Sequence, residues 1–494
     1  MKKKMISFSL FLITLCMSTL NAQKIGLREI SLNEQITNST MIVEGEVIAK
    51  TSFWSNNLIY TANTVKVHKV FKGDPLKTVE VITVGGTVGL EAVMVSHGLK
   101  LQKGATGLFL LKDSDVANIP TNKTANKHFK VYSSVQGFYK YNLFDDLAVN
   151  PFKVKQGITS SFYNEILAIT KKDYLEISDF NVEQFSKSAS QNKTLAPIIS
   201  GFSPTTLSAG TKTQLTITGS GFGAQGGVSA VKFPNADDGG ATFISALDTQ
   251  IVSWSDTEII VEVPSGAGTG KLRVTDAGSA SGNAANDLTI LYSELNREFD
   301  PGTGTEAYLL QHYGPNFQTG GYEWKMQQDF FDDSEHSGAK ASFERAMETW
   351  RCNTLINWTI SNSPTSVNVA ASDGTNVIRF DDGTELPNGV LGTCYSYTNG
   401  CANGSTFDFY VSELDIVFND TENWYFGTGD PNLAWDFETV AVHELGHGHQ
   451  LGHVINTNAI MHYNISVGEF NRILSTVDID GASDVQLRST SNQV

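Results

Sequence analysis

The twelve residues VHELGHGHQLGH, at positions 442–453, concentrate side chains that bind metal ions. The chain has 10 histidines, and five of them lie between His443 and His462. Residues four apart lie on the same face of a helix, so His443 and His447 can bind one ion. Imidazole nitrogen is a good zinc ligand, and Glu444 lies where its carboxylate can reach a metal-bound water. The pattern therefore predicts a Zn2+ site for hydrolysis, with Glu444 as general base.

The residues that follow extend this pattern. The arrangement HExxH is the metalloprotease signature. His453 lies ten residues after His443, and Met461 follows eight residues later in AIMHY. Together these residues resemble the metzincin pattern HExxHxxGxxH followed by a Met-turn. The resemblance implies that His443, His447 and His453 bind zinc and that Met461 forms an apolar floor beneath it. It also implies that Tyr463 ligates zinc or steadies the oxyanion of the tetrahedral intermediate, a packing role being the alternative.

Gln450 departs from the metzincin pattern, because the family has glycine at this position, where the chain turns out of the helix. A non-glycine residue at positive φ is uncommon and costs about 1–3 kcal/mol. We expect either that Gln450 bears this strain or that Gly452 absorbs the turn. His449 and His462 match no role in the pattern, and we expect His449 to be exposed.

The resemblance extends beyond the histidines. GVLGTCYSY followed by ELDIVFND resembles the edge strand and next strand of matrixin-type catalytic domains, and LSTVDIDGASDVQ resembles their last helix. The likeness covers about residues 305–490. Independently of it, Asp436 is the expected N-cap of the helix that carries His443 and His447. Such an edge strand would pair with an extended protein or peptide substrate by β-augmentation.

Two other functions remain open. One is a thermolysin-like zinc peptidase, in which Glu469, 22 residues after His447, is the third ligand. The other is a catalytically inactive adhesion or binding protein, against which the presence of Glu444 argues. Zinc content and casein cleavage would separate the three.

The rest of the chain is predicted to be rich in β structure, because short β-branched segments alternate with glycine and proline turns. The segments ITGSGFG, WSDTEIIVEVP and GTGKLRV resemble the IPT/TIG family of immunoglobulin-like domains, which serve as spacers or binding modules. The predicted fold is therefore multidomain, with an all-β N-terminal domain, an Ig-like β-sandwich and an α+β metzincin-like peptidase domain. The predicted boundaries are 1–22 for a signal peptide, 23–172 for a β-rich domain of unknown role, 173–195 for a linker, 196–293 for the sandwich, 294–304 for a linker and 305–494 for the catalytic domain.

The first residues predict export. Lys2, Lys3 and Lys4 precede a short apolar run that ends near Asn21-Ala22-Gln23, which is typical of a secretory signal peptide cut after Ala22. Lipid attachment at Cys16 is the alternative. We expect a secreted protein with no membrane-spanning segment after cleavage. The net charge of −17 disfavours nucleic acid and anionic membranes as partners, whereas the β domains offer surfaces for proteins or glycans.

Export permits disulfides. Three cysteines follow the signal peptide, so three pairings are open, and the turn-rich stretch around Cys394 and Cys401 favours that pair. No cysteine lies between Ala22 and Cys352. A thiol of the N-terminal domain therefore cannot cap the zinc, and inhibition by this domain would need another ligand or a blocked cleft.

Overall fold

The computed structural model describes residues 26–120, 127–184, 196–312, 321–383 and 385–489. The predicted signal peptide lies outside the described residues, as does the part of the predicted linker from 185 to 195. No helix in the described ranges is both long and apolar enough to cross a membrane.

The first unit, residues 26–184, consists mainly of strands. Its elements are α1 (Leu32–Asn38), β1 (Met41–Ser55), β2 (Leu58–Lys72), β3 (Thr78–Val84), β4 (Gly86–Val88), β5 (Glu91–Val95), β6 (Thr106–Asp113), β7 (His128–Val131), β8 (Phe138–Asn142), β9 (Leu147–Asn150), β10 (Lys153–Gln156), α2 (Tyr163–Thr170) and β11 (Leu175–Glu176), with a 3-10 turn at Ser134–Gly137 and a π turn at Ile158–Phe162.

The hairpin β1–β2 forms one side of a closed sheet. Asn56 and Asn57 connect its strands with φ angles of 50° and 58°, a conformation that asparagine tolerates in tight hairpins. Because β1 also pairs with β6, the order β1-β2-β3-β7-β6 closes on itself around a core of valines and phenylalanines. Strand β11 pairs with β2, and Val182 is buried. The first unit therefore includes residues from 173 onward that we predicted to be linker.

The second unit follows from residue 196 and contains the strands of the predicted sandwich. Its elements are β12 (Ile198–Ser203), β13 (Thr206–Ala209), β14 (Gln214–Ser220), β15 (Ala230–Pro234), β16 (Phe243–Ser245), β17 (Ile251–Trp254), β18 (Glu258–Glu262), β19 (Arg273–Thr275), β20 (Ser281–Asn283) and β21 (Thr289–Glu294), with 3-10 turns at Ala236–Asp238 and Asp248–Gln250. The sheets β12-β14-β18-β17 and β16-β15-β19-β20 share one apolar core.

The third unit contains the histidine-rich segment. Its elements are β22 (Asn296–Phe299), β23 (Glu306–His312), β24 (Tyr322–Met326), α3 (Gln328–Phe331), α4 (Ala339–Thr354), β25 (Trp358–Ile360), β26 (Asn376–Phe380), β27 (Gly392–Asn403), β28 (Thr406–Phe418), β29 (Trp424–Tyr425), β30 (Trp435–Asp436), α5 (Phe437–Gly448), β31 (Leu451–Gly452) and α6 (Thr476–Arg488). Strand β22 pairs with β23, so the residues predicted as a linker from 294 are partly strand.

Helix α5 lies at the centre of the third unit, and all of its residues are buried. The predicted N-cap is confirmed, because the carboxylate of Asp436 accepts the backbone N–H of Thr439 at 2.9 Å. The Trp350 indole on α4 donates to the carbonyl oxygen of Val442 at 2.8 Å. A helix that is buried on every side holds its side chains in fixed positions, as a metal site requires.

The sheet beside α5 crosses the boundary between units. Its order is β25-β24-β26-β28-β27-β5-β4, so two strands of the first unit extend the sheet of the third. Strand β27 pairs antiparallel with β28 on one side and with β5 on the other. The edge strand that we predicted to bind a peptide is therefore already paired with a segment of its own chain.

The predicted disulfide between Cys394 and Cys401 is wrong, and both thiols are free. Both residues lie on the single strand β27. Seven residues of extended chain span roughly 23 Å, whereas a disulfide needs Cα atoms within about 7 Å. The turn signals in this stretch led us to expect a loop where the chain continues as a long strand.

Candidate metal centre

Two ligands of the predicted site lie one helical turn apart on α5. The Nδ1 atom of His443 lies 2.8 Å from the carbonyl oxygen of Ile460, and that of His447 lies 2.9 Å from the carbonyl oxygen of Leu451. A carbonyl oxygen only accepts, so each Nδ1 must carry the proton. The unprotonated Nε2 atoms of these neutral rings face each other at 3.1 Å.

The third predicted ligand reaches the site through the turn at Gln450. Gln450 has a φ of 68°, so it bears the left-handed conformation itself, and Gly452 is not among the glycines at positive φ. The Gln450 side-chain amide donates to Ser396 Oγ and to the Gly448 carbonyl oxygen, both at 3.1 Å. The turn places His453 Nε2 at 3.3 Å from His443 Nε2.

Backbone contacts with the second unit hold this turn in place. The carbonyl oxygen of Gln450 accepts the backbone N–H of Leu295 at 2.8 Å. Strand β31, which follows immediately, pairs with the end of β21. Hydrogen bonds of this kind contribute about 0.5–1.5 kcal/mol each. Together with the side-chain amide bonds, they offset the strain of a non-glycine residue at positive φ.

The three Nε2 atoms fit a metal ion. Zinc–nitrogen bonds of about 2.0–2.1 Å place the ligands of a tetrahedral site roughly 3.3 Å apart, close to the 3.1 and 3.3 Å found here. Burial holds the pKa of His443 well below its usual value and lowers the pKa of His447 to about 3 and that of His453 to about 4. The rings are therefore neutral, and a cation relieves the repulsion between their converging lone pairs.

Glu444 is fully buried beside the three histidines. Burial acts to raise the pKa of Glu444, but the opposing effects of His97, His447 and His443 outweigh it and hold that pKa well below the usual carboxyl value. The carboxylate is therefore ionised and able to accept a proton. Its Oε2 accepts the Ser96 hydroxyl at 2.8 Å, and its Oε1 lies 3.0 Å from His97 Nε2. Both partners belong to the first unit.

Met461 packs against α5 at Gly446, and its predicted role as an apolar floor beneath the metal stays a prediction. A Cβ at Gly446 would lie 2.3 Å from the Met461 sulfur, so only glycine allows this close approach. The carboxylate of Asp478 on α6 accepts the backbone N–H groups of Ile460 and Met461 at 2.9 and 3.2 Å. The last helix thus fixes the turn that supports the metal centre.

Tyr463 lies at the boundary with the second unit. Its hydroxyl group packs against Gly239, where a Cβ would lie 2.2 Å away. A cavity of about 1090 Å³ between the three units is lined by Tyr463 together with His447 and His453. Burial raises the pKa of Tyr463, and Asp238 adds to this, so the hydroxyl keeps its proton. Its predicted contact with zinc or an oxyanion stays a prediction.

Glu469 and His449 do not contribute to the site. Glu469 is exposed, and its carboxylate accepts the backbone N–H of Ser466 at 3.0 Å. The expectation that His449 is exposed is wrong. Its ring is fully buried between Trp350 and Trp358, with ring centroids 4.4 Å apart in both cases. His449 therefore packs in the apolar core of the third unit.

Two residues near the metal centre escaped prediction. Asp237 Oδ1, from a 3-10 turn of the second unit, lies 2.8 Å from His453 Nδ1. His97, from the first unit, joins the three predicted ligands in a cluster whose ligand atoms all lie within 4.8 Å of one another. Both are more than 200 positions from the ligands in sequence. No spacing rule links residues so far apart, so only the packing of the units could show them.

We predict that Asp237→Asn weakens zinc binding. A carboxylate that accepts the second ring N–H of a ligand histidine fixes the ring orientation, and loss of such a partner typically costs about 10–100-fold in metal affinity. Competition with a chelator measures this change. Asp287→Asn, which replaces an exposed aspartate of the same unit, is the control and should bind zinc like the parent chain. Equal affinity in both variants would contradict the role assigned to Asp237.

Comparison with known proteins identifies two family domains in this chain. The IPT/TIG domain model matches residues 197–290, and the Matrixin model of peptidase family M10 matches residues 316–486. Metalloendoproteinase 2-MMP of Arabidopsis thaliana is 32% identical over 29% of this chain and 35% of its own length. Metalloendoproteinase 1 of Glycine max is 32% identical over 19% of this chain and 28% of its own length. The chain thus spans about a third of the length of these relatives.

Among solved structures, a crystal structure with xylogluco-oligosaccharide is 23% identical over 22% of this chain and 21% of that chain, with a TM-score of 0.16. So low a score has no bearing on function. The metal centre lies within the matrixin match, and Asp237 lies within the TIG match. The chain therefore contains an IPT/TIG domain at residues 197–290 and a matrixin domain, the domain of a zinc metallopeptidase, at residues 316–486.

Proposed function

We propose that this protein is an exported, zinc-dependent endopeptidase that cleaves protein or peptide substrates. The observation that carries the proposal is the convergence of three neutral imidazole Nε2 atoms beside an ionised, buried Glu444. His443, His447 and His453 would hold the metal. Three protein ligands leave one position for water, which is typical of catalytic rather than structural zinc.

The residues around the metal have separate roles in this reaction. When bound, zinc lowers the pKa of water and polarises the scissile carbonyl group. Glu444 accepts a proton from the attacking water on a carboxylate oxygen and then delivers it to the nitrogen of the leaving amine. Tyr463 donates a hydrogen bond from its hydroxyl group to the oxyanion that develops on the scissile carbonyl oxygen. Met461 and Asp478 hold the turn beneath the ligands.

The substrate would bind along β27. This strand ends the sheet of the third unit, and its residues from Tyr395 to Thr398 offer backbone groups to a strand on the side away from β28. An extended peptide bound there gains main-chain hydrogen bonds that do not depend on its sequence. The geometry therefore supports an endopeptidase that accepts unfolded or extended segments.

The position of Glu469 favours this proposal over a thermolysin-like site. The carboxylate is exposed and accepts a local backbone N–H, whereas His453 lies within the cluster. The inactive alternative is disfavoured by the retained and ionised Glu444. In the proposed enzyme, the second unit also holds a ligand through Asp237, in addition to any protein or glycan that its surface binds.

We predict that Glu444→Ala and Glu444→Gln retain zinc and lose peptide hydrolysis. Neither side chain can accept a proton, and loss of a general base typically costs about 10²–10⁴ in rate. Because His97 contacts Glu444, each variant is compared with its parent both in the intact chain and in a chain carrying His97→Asn. Casein hydrolysis and zinc content are the measurements. In whichever background the parent chain cleaves casein, activity of the Glu444 variants within a few-fold of that parent would contradict the role of Glu444, and loss of zinc would indicate a ligand.

We predict that His453→Ala lowers zinc affinity by more than about tenfold, whereas Glu469→Ala leaves it unchanged. Removal of His453 takes away one of the three converging Nε2 atoms, and the loss of a ligand weakens zinc binding. Glu469→Ala is the matched control because it removes the alternative third ligand. Bound zinc after dialysis against a chelator measures the difference. Zinc retained in His453→Ala but lost in Glu469→Ala would favour the thermolysin-like site.

We predict that the protein is exported and that its mature form begins near Gln23. The basic residues and short apolar run at the start of the chain support this proposal. N-terminal sequencing of protein recovered from the culture medium is the measurement. A mature chain that begins at Met1 would be incompatible with signal cleavage, and a lipid-modified Cys16 would indicate a surface-anchored form.

A further inference from the structure

A segment of the first unit lies along the edge of β27 where a substrate would bind, which we call the peptide groove. Strand β5 pairs antiparallel with β27, with Ala92 opposite Thr398 and Val95 opposite Tyr395. The pairing continues beyond the strand, because the backbone N–H of Ser96 donates to the carbonyl oxygen of Cys394 at 3.0 Å. The edge that would take a substrate is therefore filled from Cys394 to Thr398, next to the catalytic helix.

Side chains of β5 also pack against side chains of β27. Val93 and Val95 are buried in one apolar cluster with Tyr395 and Tyr397 of β27. This contact adds hydrophobic burial to the main-chain pairing, and burying a valine side chain stabilises by about 1.5–3 kcal/mol. The arrangement has the features of a bound extended peptide, namely main-chain bonds and buried alternate side chains.

The segment ends directly over the catalytic residues. Ser96 and His97 bind the two carboxylate oxygens of Glu444. The His97 ring lies parallel to the rings of His443 and His453, with centroids 5.7 and 5.4 Å apart. A ring nitrogen of His97 lies in the same cluster as the three ligand nitrogens. His97 thus lies where the water or the substrate would approach the metal.

The backbone at His97 differs from that of an extended substrate. His97 has a φ of 48°, so the chain leaves the extended conformation at this residue and turns away from the groove. The Ser134 hydroxyl donates a hydrogen bond to the carbonyl oxygen of His97 at 2.8 Å. Gly26 packs on the ring so closely that a Cβ would lie 2.0 Å from Nε2. No extended peptide bond continues past the metal centre here.

We propose that His97 is a fourth ligand of the metal and that residues 91–97 keep the intact chain inactive by closing both the coordination site and the peptide groove. A ring nitrogen binds a metal only when it carries no proton, so binding through Nε2 would release the proton that this atom donates to Glu444, whereas binding through Nδ1 would retain it. The proposal rests on the proposed function, since a groove can be blocked only where a peptide would bind. Four protein ligands leave no position for water, as in structural zinc sites. The chain has no cysteine between Ala22 and Cys352, so no thiol of the first unit can bind the metal. In this proposal the imidazole of His97 fills the fourth coordination position instead.

Cobalt(II) substitution of the full chain tests the ligand. Visible absorption of cobalt depends on the number and type of its ligands, so His97→Asn should change the spectrum and speed metal release to a chelator at least about tenfold. Asparagine is chosen because it tolerates a left-handed backbone. The matched control, His128→Asn, replaces a partly buried histidine on β7 and should match the parent chain in both measurements.

A titration with acetohydroxamic acid adds a measurement on the parent chain itself. This small chelating probe should leave the cobalt spectrum of the parent chain unchanged and should shift that of His97→Asn, where a coordination position is open. A parent spectrum that shifts as readily as the variant's would overturn the proposal. So would identical spectra and release rates for the parent and a folded His97→Asn chain.

Hydrolysis of a quenched fluorescent peptide separates this inference from the proposed function. Activity at least about tenfold higher in His97→Asn than in the parent, with His128→Asn unchanged, supports inhibition by residues 91–97. Equal activity in parent and His97→Asn would overturn it. If the cobalt spectra differ but no variant cleaves any peptide, His97 is a ligand and the peptidase function itself is contradicted.

Discussion

The left-handed turn at Gln450 is the constraint on which the metal centre depends. Helix α5 places two histidines on one face, but a straight continuation would carry His453 away from them. The chain turns back at a residue without the conformational freedom of glycine, and it does so under contact from three directions. The Gln450 side-chain amide binds the helix end and Ser396 of β27, while its carbonyl oxygen accepts from Leu295. The strained residue is stable because the surrounding units determine its conformation.

The second unit contributes contacts to the proposed metal centre. A domain that served only as a spacer would make no such contacts. Strand β21 pairs with the residues that precede His453, and the Asp237 carboxylate lies 2.8 Å from Nδ1 of this proposed ligand. The carboxylate–histidine pair spans two sequence domains, and so does the packing of Tyr463 on Gly239. Weaker contacts between the two units would therefore change the position of His453, even if every metal-binding residue were retained in the sequence. The metal centre is better described as shared than as enclosed in one domain.

The sequence predicted the parts of the site that lie close together along the chain. The pairing of His443 with His447 and the cap at Asp436 follow from helix geometry, whereas His453 was expected from the resemblance to the metzincin pattern. The structure brings the three histidines together. His97 and Asp237 were missed because contacts between units leave no periodic signal. The cysteines were misjudged because turn-rich composition does not exclude a strand that is paired on both sides. His449 was misjudged because it matched no role in the metal-binding pattern and was therefore expected at the surface, whereas two tryptophans enclose it.

The pairing of β5 with β27 joins two segments of one polypeptide. A tethered segment is present at its binding site at an effective concentration on the order of millimolar, whatever the concentration of the protein. A free peptide must exceed this value, or bind more tightly, before it displaces residues 91–97. Dilution of the intact chain would not release the segment. Cleavage of the chain between the two segments would release it, because binding would then depend on the concentration of the free segment, which falls on dilution.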